Sequence, residues 1–199
     1  NIPVMADIAA ETDFTIMCCT GIYSTAYYRR IRDELGSPEA VSDLFIRELT
    51  EGIGGTGIKA GFIKAVTGQP SVTETERELL RMAGRAAAQA GAPVMTHTEG
   101  VLGDEQQRIL TAEGVPAHRI MIGHSCIATD FNYHERILQA GSYLGFDRFG
   151  MEFDMPDDAR AASLVKLIQA GYADRLLLSH DSVWYWVGGP QVGSGPSKN

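Results

Sequence analysis

The chain has 199 residues, 44% of them hydrophobic and 21% charged, with a formal net charge of −8. Such a length and composition suit one globular domain with a sizeable core. The acidic balance argues against nucleic acid or an anionic membrane as the main partner. No apolar run approaches the ~20 residues that span a bilayer.

No basic, apolar leader stands at Asn1-Ile2-Pro3, so a cytoplasmic location is expected. The three cysteines, Cys18, Cys19 and Cys126, form no CxxC, and two of them are adjacent. That pattern suits buried, reduced thiols and neither a disulfide framework nor a thiolate zinc site.

Residues 3–11 read as a helix with Val4, Ile8 and Ala9 apolar. Phe14–Cys19 is a β-prone run, and Tyr23–Asp33 reads as a loop or short helix. Ser37-Pro38-Glu39 opens a helix that runs to about Glu51. Ile58–Val66 is the next strand. Thr73 to Ala90 is a long helix with acids in its first turn and Gly91 just past its end. Strand Pro93–Thr96, a helix from Asp104 to Glu113 and strand Arg119–Ile122 follow. Asp130 caps a helix ending near Gly141. Strand 142–147, helix Asp157–Ala170 and strand Arg175–Ser179 complete the pattern, and a Gly-, Pro- and Ser-rich stretch runs from Gly188 to Asn199.

Strands therefore centre near residues 16, 62, 95, 121, 145 and 177, with room for a helix between each pair. That alternation predicts a parallel α/β sheet. Six strands fall short of eight, and the chain is shorter than the ~250 residues usual for an eight-stranded barrel. Either an open doubly wound sheet or part of a barrel would fit. Gly52-Ile53-Gly54-Gly55-Thr56-Gly57 precedes a strand, whereas a dinucleotide fingerprint follows one.

Four polar residues sit at or just past the carboxyl ends of the strand-like runs: Lys64, His97, His124 and Asp181. In barrels that rim is where chemistry gathers. A lysine among Phe62, Ile63, Ala65 and Val66 is costly to bury as an ammonium, so its pKa should fall. A neutral amine can take up carbon dioxide as a carbamate, an anionic ligand able to bridge two cations. The plainer alternative is a lysine whose head reaches water, as expected for Lys59. Imidazoles suit zinc, manganese, cobalt or iron; either histidine alone could equally be a hydrogen-bonded structural group. Asp181 could bind metal and move a proton, or cap a turn. His180 is open between supporting a ligand and lying on the surface, and His118 and His134 read as surface residues. Divalent metal would lower the pKa of bound water to about 7, and two ions could share the hydroxide and polarise a carbonyl or phosphoryl oxygen.

Taken together, Gly61-Phe62-Ile63-Lys64-Ala65, Val94-Met95-Thr96-His97-Thr98, Ile122-Gly123-His124 and Leu178-Ser179-His180-Asp181 resemble the phosphotriesterase family of the amidohydrolase superfamily. Thr20-Gly21-Ile22-Tyr23 and Gly145-Phe146-Asp147-Arg148-Phe149-Gly150 are similar to loops of its phosphotriesterase-like lactonases. The resemblance implies a (β/α)8 TIM barrel of the metal-dependent hydrolase type, with about six of the eight strands present. Residues 1–187 would form the partial barrel and 188–199 a loop or disordered tail.

It further implies two divalent ions, zinc first, with cobalt, manganese or iron as alternatives. Lys64 would be the carboxylated bridging ligand. His97 and His124 would hold the more exposed ion and Asp181 the more buried one. Asp181 would also act as proton shuttle. Tyr23, Arg148 and Trp184 would contact substrate, a lactone, ester or organophosphate. A homodimer is implied too.

The family's first strand carries a His-x-His pair, and none occurs here. The run at Phe14–Cys19 looks like the family's third strand, so the 199 residues read as an internal fragment. Alone it is expected to hold the buried ion poorly and to be inactive. A non-catalytic binding protein on the same scaffold is the rival reading, and an open α/β binding module without metal is a third.

Overall fold

The computed structural model describes residues 2–182. Trp184 and the predicted tail from residue 188 lie outside the described residues. The order is α1 (Ile2–Glu11), β1 (Cys19–Gly21), α2 (Thr25–Leu35), α3 (Pro38–Thr50), β2 (Phe62–Val66), α4 (Glu74–Ala90), β3 (Val94–His97), α5 (Gly103–Ala112), β4 (Ile120–Ile122), α6 (Phe131–Gln139), β5 (Tyr143–Phe146), α7 (Asp157–Gln169) and β6 (Leu176–Leu178).

The strands form one parallel sheet in which each strand pairs with the next along the chain. A doubly wound sheet reverses its order at a switch point. This sheet does not reverse, so it is a sector of a (β/α) barrel. The open α/β module expected as a third reading is overturned by that order.

Alternation along the strands gives the sheet two unlike faces. Ile63, Ala65, Val94, Ile120, Ile122, Leu144 and Phe146 are fully or almost fully buried. Helices α3, α4, α5 and α6 lie against β1, β2, β4 and β5. On the other face Phe62, Met95, Met121 and Tyr143 are only half-buried. With Met17 and Leu177 they line an apolar groove of about 260 Å³. Lys64 stands on this same open face, next above Phe62 on its strand.

Some predicted boundaries move. The first strand is Cys19–Gly21 and not Phe14–Cys19, because Phe14 and Met17 have no strand beside them and stay exposed. The second begins at Phe62, after the Gly61 amide bonds to the Cys18 carbonyl. Tyr23–Asp33 contains most of an eleven-residue helix, capped by Ser24 accepting from the Tyr27 amide. The cysteine expectation holds only in part: all three are free, Cys126 is buried, Cys18 is half-buried and Cys19 is exposed. His134, expected on the surface, is buried. No helix among the described residues is long and apolar enough to cross a membrane.

The longest helix also anchors a loop of the rim. Thr73 caps α4 in a reciprocal box with Glu76. The buried Glu76 carboxylate accepts from the Thr73 amide and from the Gly68 amide, both at 2.7 Å. One side chain therefore ties the turn after β2 to the start of α4. Replacing Glu76 with Ala strands both amides and should lower stability by about 1–3 kcal/mol. The urea midpoint of the variant reads this directly, and a midpoint equal to that of the parent would refute the role given to the carboxylate.

Candidate active site

Lys64 enters the site from the middle of the sheet. Its Nζ donates to the Thr96 carbonyl at 2.9 Å. Burial pushes its ammonium below the ordinary lysine value, while Asp147 and Asp181 pull the other way. Two glycines leave room around it. A side chain on Gly21 would overlap the Lys64 backbone, and one on Gly123 would overlap the Thr96 carbonyl. Gly21 also holds φ +114°, a conformation other residues adopt only under strain.

His97 ends β3 and is buried. Its Nε2 lies 3.1 Å from Glu99 Oε1 and its Nδ1 3.0 Å from the Tyr23 hydroxyl. Burial raises the Tyr23 phenol above its usual value, so the hydroxyl stays protonated and donates. Nε2 then carries the imidazole proton, and Nδ1 carries the lone pair. Burial pushes the His97 pKa down to about 4, against the opposing hydrogen bond from Glu99. The ring is neutral at pH 7.

His124 follows β4 in a left-handed conformation, φ +58°. A non-glycine residue there costs about 1–3 kcal/mol. Asp147 offsets that strain: the His124 amide donates to its two oxygens at 2.9 and 3.1 Å. The His124 ring donates to the same carboxylate through Nδ1 at 3.0 Å. Nε2 is left with the lone pair and lies 3.9 Å from Asp181 Oδ2. The two histidine rings stand edge to face with centroids 4.4 Å apart.

Asp181 lies just past β6, at φ +48°. Its Oδ2 is 3.3 Å from Arg148 Nε, and Arg148 Nη1 donates to Asp154 at 2.7 Å. The fold thus brings Lys64, His97, His124, Asp181, Tyr23 and Arg148 to one rim. Trp184 is outside the described residues. His180 is exposed, and its Nδ1 accepts from the Ser182 amide. His118 is exposed as expected. His134 donates through Nε2 to the Ser125 carbonyl at 2.8 Å, which makes it a structural group under the loop after β4.

Two contributors were not assigned from the sequence, Asp147 and Glu99. Each fixes a histidine tautomer from a neighbouring position, Asp147 from the next strand's end and Glu99 from two residues on. Asp147 belonged to a motif noted for Arg148, and nothing in its spacing pointed at His124.

Among the described residues no three His, Cys, Asp or Glu side chains are gathered tightly enough to hold a metal ion. The donor chemistry still fits one. Both imidazoles are anchored through one nitrogen to a carboxylate, the arrangement usual for metal-binding histidine; the other nitrogen of His124 faces Asp181, and that of His97 accepts from Tyr23. A carboxylate and a lysine of lowered pKa stand beside them.

A parallel sheet in chain order with such a cluster at its carboxyl rim defines a (β/α)-barrel protein. The chain belongs to the phosphotriesterase family, whose model matches residues 1–188. A phosphotriesterase homology protein of Mycobacterium tuberculosis is 38% identical over 198 residues, covering 96% of this chain and 61% of that protein. An aryldialkylphosphatase of Saccharolobus solfataricus is 36% identical, covering 91% of this chain and 58% of that one. A solved mutant of a phosphotriesterase-like lactonase from Deinococcus radiodurans superposes with a TM-score of 0.83 at 38% identity, covering 93% of this chain and 60% of that one. The chain spans about three fifths of the length of these relatives.

The His97 environment gives a pH signature. An unfolded histidine titrates near 6.5, whereas folded His97 titrates at about 4. Between those values the unfolded state holds the extra proton, so stability rises with pH across that window. In metal-free solution the chain should lose up to about 3 kcal/mol as pH falls from 6.5 to 4. Histidine NMR titration checks the cause, and a His97 midpoint near 6.5 would remove it.

Proposed function

We propose that the whole protein is a metal-dependent hydrolase of uncharged esters, with lactones preferred and phosphotriesters as a second substrate class. The observation that carries this reading is the pair of carboxylate-anchored imidazoles, their rings 4.4 Å apart, with the second nitrogen of His124 3.9 Å from Asp181 and that of His97 at the Tyr23 hydroxyl. Lys64, His97, His124 and Asp181 would hold two divalent ions, zinc first. Bound there, such ions would acidify water and polarise the substrate's carbonyl or phosphoryl oxygen.

The chain's own residues would do the rest. Lys64, whose ammonium form burial disfavours, would add carbon dioxide through its free-amine form at Nζ; a C–N bond forms, a proton leaves to solvent, and an anionic carbamate stands where the neutral amine was. Glu99 and Asp147 keep the two rings in the tautomers that ligation needs. Asp181 Oδ2 accepts the proton released by water and returns it to the leaving oxygen. Tyr23 and Arg148 border the open side, where a hydroxyl and a guanidinium can hold the ester oxygen and its developing charge. Trp184 is proposed to cover the leaving group.

The relatives' names support both substrate classes, one being an aryldialkylphosphatase and one a lactonase. Preference for lactones comes from Tyr23 and Arg148. The rival reading, a binding protein without chemistry, is favoured by one observation: the described residues do not close a metal cage.

Metal analysis and mutation separate the two. The whole protein should carry close to two zinc-group ions, lose hydrolysis on chelation and regain it on adding metal. Lys64→Ala should lower kcat/KM on a lactone by at least about 1,000-fold, since its ligand bridge and charge are both lost. Carbon-13 bicarbonate should label Lys64. A folded, metal-free protein without turnover and without label would establish the binding reading instead.

A further inference from the structure

The loop between β5 and α7 carries Arg148, and it is held from beneath by an ion pair between a buried arginine and a part-exposed aspartate. Arg160, in the first turns of α7, has no exposed surface. Its Nη1 donates to Asp157 Oδ1 at 2.6 Å and its Nη2 to the Met151 carbonyl at 2.7 Å. Asp157 in turn accepts from the Gly150 amide, at 3.1 Å through Oδ1 and 2.9 Å through Oδ2. The Met151 carbonyl also accepts from the Asp154 amide, and Asp154 is the carboxylate that holds Arg148 Nη1. A continuous chain of contacts therefore runs from Arg160 through Met151 and Asp154 to Arg148 and on to Asp181.

Burying a guanidinium is costly, and a methionine or leucine would fill the same space without that cost. What an apolar residue could not do is fix two backbone groups of the loop at once. Arg160 holds the Met151 carbonyl with one arm of its planar fork and, with the other, Asp157, which in turn holds the Gly150 amide.

We propose that Arg160 and Asp157 are positioning residues that set where Arg148 stands over the substrate pocket, and through it which ester the pocket accepts. The inference rests on the substrate role given above to Arg148. Their hydrogen bonds go to each other, to Gly150 and to Met151, and not to Lys64, His97, His124 or Asp181. Loosening the clamp lets the segment 148–156 open while the histidine pair, built on β3 and β4, stays in place.

The test uses Arg160→Gln, Arg160→Lys and Asp157→Asn in the whole protein, each also combined with Arg148→Ala. Hydrogen exchange across residues 148–156 should accelerate at least about 10-fold in Arg160→Gln and Asp157→Asn, with β2 and β3 unchanged. KM for a lactone should rise about 10-fold while kcat changes less than about 2-fold, the mark of lost binding and not lost chemistry. Arg160→Lys should recover part of both effects. In the Arg148→Ala background the second substitution should add less than about 2-fold, because the two act through one contact.

Equal KM losses in both backgrounds would overturn the proposal, as would unchanged exchange in Asp157→Asn. If Arg160→Gln fails to fold, Asp157→Asn decides, since that carboxylate is part-exposed. Failure of the folded, metal-loaded parent on every lactone and phosphotriester would sink the functional reading alone; the exchange data would still decide whether the clamp holds the loop.

Discussion

Parallel pairing in unbroken chain order is the constraint on which the site depends. Each strand runs the same way as its neighbour, so each strand's carboxyl end opens on the same rim. Each return crossing lays a helix on one face, which makes that face dry and apolar. Polar side chains then have two places to go, the open face and the rim. Lys64 takes the first and His97, His124 and Asp181 take the second. Their separation along the chain is large, and their separation in space is a few ångströms: 4.4 Å between ring centroids and 3.9 Å from His124 to Asp181.

Much of this was legible in the sequence. Apolar runs ending in a polar residue located β2, β3 and β4 to within a few residues, and capping residues located α3, α4 and α6. Room for a helix between each pair of successive strands implied parallel pairing. What the sequence hid was contact between elements. Asp147 looks like a loop residue until β5 is laid beside β4, where it meets the His124 amide and ring. Glu99 is hidden for the opposite reason: it is too close to His97 for strand periodicity to describe, since the chain turns between them.

Other misreadings came from judging residues by polarity. His134 shares a stripe with Ile137 and Leu138, three and four positions on, and that helical spacing marks it as inward-facing. Charge crowding around Arg29, Arg30 and Arg32 left Tyr23–Asp33 open between loop and short helix; the helix forms, with its buried side carried by Tyr28. Phe14–Cys19 erred the other way. Its β propensity is high, yet a strand is defined by a partner, and pairing begins only where Cys19 meets Phe62.

The charge around the rim narrows the class of substrate that suits it. Glu99, Asp147, Asp154 and Asp181 outnumber Arg148, which is already shared between two carboxylates. Its guanidinium is therefore not free to capture an anion outright. Without ions such a carboxylate-rich rim attracts cations and repels an anion such as a phosphate monoester, and the two divalent ions proposed above would offset part of that charge. Lactones and phosphotriesters carry no net charge and incur no such repulsion on approach. They develop negative charge only as the reaction proceeds, which is when a guanidinium held in place can contribute most. The loop clamp built on Arg160 and Asp157 keeps that guanidinium where such charge would form.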